Sequence, residues 1–193
     1  MAVLLIASFF ASCKDEPAPL PTHPIEKITS LKLTVQEYSW IDGSPTGSPW
    51  VITYSDPDGS GGNDPVISSG FNIDPIQLYE FKVEFLDESV SPAKDITSEI
   101  ISEGTEHQVF YYFTGSDGLV TEYIDFDTDG KPIGTHVKPS IQNVNTGNLL
   151  ELKIILKHMP DKDATGVSSG DITNSAGETD FETTPGITVT IVT

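Results

Sequence analysis

Two histidines stand at the margins of apolar rows. His107 opens the stretch HQVFYYFT in phase with Val109, Tyr111 and Phe113, and His158 closes LLELKIILKH in phase with Leu150, Leu152, Ile154 and Leu156. Neutral imidazole is a ligand for zinc and other transition metals. The start of one antiparallel strand and the end of its neighbour share a rim, so pairing of these segments would let the rings converge. Asp161 and Asp163 follow His158, and Glu178 and Asp180 precede the last strand. His107, His158, Asp161 and Asp180 are therefore the candidate transition-metal set. No HxH, HxxxH or HExxH spacing fixes their geometry. The competing reading has each histidine capping the core and bonding a neighbouring carbonyl or carboxylate.

Calcium chemistry has its own candidate. Asp125, Asp127 and Asp129, followed by Gly130, match the first half of an EF-hand loop. Position 12, where a bidentate glutamate would close the shell, is His136, and both flanks read as strands. An acidic hairpin turn, with Asp-Gly supplying positive φ, explains the same residues. The loop DPDGSGGND (56–64) offers further oxygen donors among turn-forming glycines. Tyr38, Trp40 and Trp50 flank a Gly/Pro/Ser loop and could form a stacking platform for a sugar, or the edge of the core. Catalysis has little support. There is no GxSxG elbow, no phosphate-binding glycine loop and no evident carboxylate pair, so the chain reads as a non-enzyme.

The elements that must position these residues are strands. Leu31, Leu33 and Val35 alternate with polar neighbours, as do Tyr79, Phe81, Val83 and Phe85. HQVFYYFT is apolar on both faces, as in a central strand. Segments 118–126, 149–158 and 186–193 add three more, and weaker strands are expected near 50–55, 65–71 and 135–141, about nine in all. DITSEIISEG (95–104) breaks the alternation, with Ile96 and Ile100 four apart, and predicts one short helix near 95–103. The polar stretch 161–185 reads as a long loop. The expected fold is all-β, an antiparallel two-sheet sandwich of immunoglobulin-like or related Greek-key type.

Composition narrows the partners. All ten basic residues are lysines against 29 acids, a formal charge of −19. A polyanion without guanidinium groups is a poor match to nucleic acid or phosphate ligands. The acidity suits solubility, cations or a basic partner.

The lone cysteine, Cys13, gives an address. It follows the apolar run MAVLLIASFF and the small residues Ala11 and Ser12. That run is too short to span a bilayer as a helix, which takes about 20 residues. It resembles a bacterial lipoprotein signal, with Phe10 where leucine or valine is usual and no basic residue ahead of it, which predicts a true start further upstream. Acylation of Cys13 would anchor the chain through lipid. Lys14, Asp15 and Glu16 then resemble the surface-export signal of Bacteroidota lipoproteins, and PAPLPTHP (17–24) reads as a stiff spacer. The expected organisation is a signal peptide at 1–12, a lipidated tether at 13–24 and one β-sandwich domain at 25–193.

The stretches TYSDPDGSGGNDPVI, FLDES with DITSEI, EHQVFYYF and KHMPDKDATGVSSGDITNSAGETDFE resemble small flavobacterial lipoproteins grouped as a "type 1 periplasmic binding fold superfamily". That label implies a two-lobed α/β protein with crossover helices, whereas the periodicity here implies strands. Together these features lead to a surface-anchored binding module on the outer membrane, capturing a nutrient, metal or cofactor for a transporter such as a TonB-dependent receptor. The alternative is an adhesion or structural domain with calcium-stiffened acidic loops.

Overall fold

The computed structural model describes residues 26–59 and 62–193. Cys13, Lys14, Asp15 and Glu16 lie outside the described residues, as do the signal-like run and the spacer.

Alternating apolar residues build two sheets. The first runs in the order β3 (Val66–Ile67), β2 (Pro45–Ser55), β1 (Ser30–Tyr38), β5 (Leu78–Asp87), β9 (His136–Ile141) and β8 (Leu119–Tyr123), with β6 (Lys94–Asp95) on the end of β5. The second runs β11 (Glu178–Glu182), β10 (Leu149–His158), β12 (Ile187–Ile191) and β4 (Phe71–Ile73), with β7 (His107–Phe113) along the other side of β10. The protein is an all-β sandwich, and its inward residues interdigitate. Phe81 of β5 meets Phe71 edge-on with ring centroids 5.9 Å apart, and Phe85 meets Phe181 at 5.6 Å. Edge-to-face contacts of this kind add to the stabilisation from burial alone.

Three details depart from the expected pattern. β4 and β12 pair in parallel, so the sandwich is not wholly antiparallel. The stretch taken for a continuous loop holds β11, a strand with Phe181 as its single apolar residue, too little for periodicity to register. β7 is not a central strand, because it pairs only with β10. Its outer side is covered by irregular chain instead: the Val109 amide donates to the Ile133 carbonyl, and the Gln108 amide donates to Val167. Burial on both faces is thus achieved without a second strand.

The short helix spans Thr97–Ser102 and buries Ile100. Asp95 accepts from the Ser98 amide and hydroxyl, anchoring its first turn. A 3-10 turn, Gly104–Glu106, then feeds straight into His107. No helix among the described residues is long and apolar enough to cross a membrane.

Phe81 lies wholly inside the core, between the two sheets. Truncating it to alanine should cost about 3–5 kcal/mol, read as a lower midpoint in urea unfolding.

Candidate metal centre

The register of β7 against β10 places His158 directly opposite His107. Both belong to the inward rows that carry Val109, Tyr111, Ile154 and Leu156, so both rings are buried at the rim where those rows end. The imidazoles stack with centroids 4.8 Å apart and planes inclined by 23°. The 3-10 turn sets the tautomer of His107. Its Nδ1 lies 3.2 Å from the Glu103 carbonyl, which can only accept, so Nδ1 carries the proton and the neutral ring offers Nε2 as a lone pair.

A bulge delivers the first carboxylate. Leu156 pairs with Phe181 and Lys157 pairs with Thr179, so Asp180 is the extra residue on β11. Strict alternation would turn Asp180 outward from a strand that buries Phe181. The bulge re-aims it, and its side chain has no exposed surface. The second carboxylate is Glu26, four residues ahead of β1, whose side chain is 12% exposed.

His107 Nε2 lies 3.6 Å from Asp180 Oδ2 and 3.9 Å from Glu26 Oε2, and His158 Nδ1 lies 3.7 Å from the same Asp180 oxygen. One donor atom from each of the four residues falls within 4.8 Å of every other. These separations exceed hydrogen-bond length. The shortest of them are slightly wider than the roughly 3.3–3.5 Å between neighbouring donors around tetrahedral zinc, so the side chains would draw inward around an ion. His107 Nε2, both Asp180 oxygens and Glu26 Oε2 are buried without a hydrogen-bond partner among the described residues. Glu106 Oε2 sits 3.8 Å from His158 Nε2, where a supporting carboxylate would orient the ring.

The electrostatics fit a divalent cation. Asp180 and Glu26 supply negative charge that a divalent ion bound beside the imidazoles would offset. Burial by itself pulls the His107 pKa down. The Asp180 carboxylate, the Glu103 carbonyl and the charge on Glu26 outweigh it and raise the pKa from its ordinary value.

The sequence-derived set thus divides. His107, His158 and Asp180 come together with Glu26, which no spacing pattern marks. Asp161 lies apart on the surface, where its Oδ1 accepts from the amides of Asp163 and Ala164.

The DxDxDG turn is occupied from within. Asp125 accepts from the amides of Gly134, Thr135 and His136 and from the Thr135 hydroxyl. Asp127 Oδ1 accepts from Asp129 and Lys131, while its Oδ2 receives the buried Lys162 ammonium at 2.9 Å. Lys162 also donates to the Gly104 and Pro132 carbonyls. A protein cation therefore sits among the oxygens a calcium ion would use, and Asp129 stays exposed at the tip. In the 56–64 loop, Asp58 Oδ2 accepts from the Asn63 backbone and side chain, closing that turn on itself.

Compared with known proteins, the chain matches no family model, no curated protein and no solved structure.

The buried Asp127–Lys162 pair makes a pH prediction. Burial raises the Asp127 pKa, but hydrogen bonds from Lys162 and Lys131 overcome that and hold it below its ordinary 3.8. A depressed carboxylate stabilises the fold above its unfolded pKa, and that contribution fades as pH falls through the lower folded value. Urea midpoints measured from neutrality downward should drop in the acid range, and Asp127→Asn should lack that part of the slope. Asp127→Ala, which strands Lys162, should lose about 3–5 kcal/mol at neutral pH.

Proposed function

We propose that this domain is a metal-binding module that holds one divalent transition ion, zinc being the best fit, between His107, His158, Asp180 and Glu26. The observation that carries this reading is the convergence of four donor residues at one buried point, with His107 Nε2 and the Asp180 and Glu26 oxygens lacking hydrogen-bond partners among the described residues. Buried carboxylates without partners cost several kcal/mol each unless something neutralises them. Mixed nitrogen and oxygen donors favour zinc or a neighbouring transition metal, whereas calcium seeks six to eight oxygens. Four protein donors in a closed pocket fill a tetrahedral shell, which supports holding an ion rather than catalysis on it.

In the same proposal, Cys13 is lipidated and the module stands on the outer membrane, facing outward, as an accessory to ion capture by a transporter. Residues 14–25 could extend at most roughly 45 Å between that anchor and Glu26. Ion binding would fasten Glu26, two residues beyond the tether, to β7, β10 and β11. A cleft of about 540 Å3, lined by Ile28, Tyr54, Asp56 and Phe181, shares Asp180 with the centre.

The purified chain should bind zinc at one equivalent in calorimetry and melt several degrees higher with it, since a ligand at 100 times its Kd adds about 2.7 kcal/mol. His107→Ala and Asp180→Asn should each weaken binding by at least about 100-fold, and Glu26→Gln by about tenfold or more. Binding unchanged in all three variants would remove the proposal. Mass spectrometry of the protein from its native cells should find Cys13 acylated at a new N-terminus.

A further inference from the structure

At the opposite end of β1 from the metal rim, the first sheet comes apart. β1 pairs with β5 along its whole length, from Ser30↔Leu86 to Tyr38↔Leu78. β5 and β9 share only two pairs, Phe81↔Val137 and Lys82↔His136. Beyond them Glu80 and Lys138 part, and Pro139 has no N–H to extend the ladder. The gap becomes a cleft of about 280 Å3 floored by Glu80 and walled by Tyr38, Trp40, Gln77, Glu122 and Lys138.

Its side chains are prepared for a ligand. Trp40 is 62% exposed, and its indole N–H donates to the Ile76 carbonyl. Ile41 and Ile76 beside it are also exposed. Grouped exposed apolar residues of this kind mark binding grooves more often than chance. Glu80 Oε2 accepts from the Tyr38 hydroxyl at 3.0 Å and meets His136 Nε2 at 3.0 Å. Glu80 Oε1 has the Lys138 ammonium at 3.6 Å. Glu122 lies directly across the β8–β9 ladder from Lys138, adding an acceptor at the mouth. Trp50, by contrast, packs against the core and takes no part.

Charge and size select the occupant. Glu80 and Glu122 repel an anion, and Lys138 between them repels a cation. A wholly apolar ligand would strand three charged groups. The volume lies at the low end for ligand sites, about 300–1,000 Å3, too small for a folded segment. A small molecule without net charge, with one apolar face and many hydroxyls, meets these demands. We propose that this cleft binds a neutral saccharide of one or two hexopyranose rings, its C–H face on Trp40 and its hydroxyls on Glu80, Lys138 and Gln77. The site shares no residue with the metal centre.

The test titrates the full chain with cellobiose, lactose and maltose up to about 20 mM, following tryptophan fluorescence and saturation-transfer NMR. At least one disaccharide should give a saturable change. Trp40→Ala should weaken it at least about tenfold, and Glu80→Gln should weaken it similarly. Lys138→Met serves in place of Trp40→Ala should the latter fail to fold. Trp50→Phe and His107→Ala should leave the response intact, which separates this site from the metal reading. No saturable response to any of the three sugars, or one that survives Trp40→Ala, overturns the proposal.

Discussion

The facing of His107 and His158 across the β7–β10 ladder constrains everything around that rim. Two imidazoles stacked in a buried corner cannot both be charged without strong repulsion, and two carboxylates beside them cannot stay ionised without a counter-charge. The β11 bulge, the 3-10 turn and the segment ahead of β1 each deliver a donor to that corner. Arrangements that bury charge so closely persist when something neutralises it, and a divalent ion does so with a single particle.

The same physics is resolved differently a short distance along the chain. Around Asp125 and Asp127 the backbone amides and the Lys162 ammonium supply the positive charge from within. Lys162 is buried, and burial is the largest influence on it, leaving its pKa below the ordinary lysine value despite Asp127 beside it. In a chain with ten lysines and no arginine, spending one on an internal loop is a structural commitment. The acidic motif is thereby converted from a vacant set of oxygens into a brace between the turn at Gly104 and the β8–β9 connection. Around Asp127 the protein provides its own cation and closes the network, whereas at the histidine rim His107 Nε2 and the Asp180 and Glu26 oxygens lack hydrogen-bond partners among the described residues.

The first sheet gives the molecule two unlike ends. Near Ser30 the strands converge on the histidine rim. Near Tyr38 they splay, because β9 carries proline at the position where pairing with β5 would continue. A continuous ladder at one end and an opened one at the other separate a closed, charged centre from an open, mixed-polarity cleft.

The sequence by itself determined the sandwich, because alternation in Leu31–Val35, Tyr79–Phe85 and Leu150–Leu156 leaves one face that must be buried. It also determined that His107 and His158 end inward-facing rows, since phase within a strand is a local property. Partnership is not local. Which strand lies beside β7, and in what register, is set by the whole core, and only that register brings the two rings into contact. β11 escaped notice because one phenylalanine carries no period, and its bulge, which turns Asp180 inward, has no mark in composition. Glu26 joined the histidines through the path of the chain before β1, and Lys162 filled an acidic turn 35 residues away in sequence. Those placements follow from long-range packing, so tertiary structure alone decided which acids face the histidines and which are already satisfied.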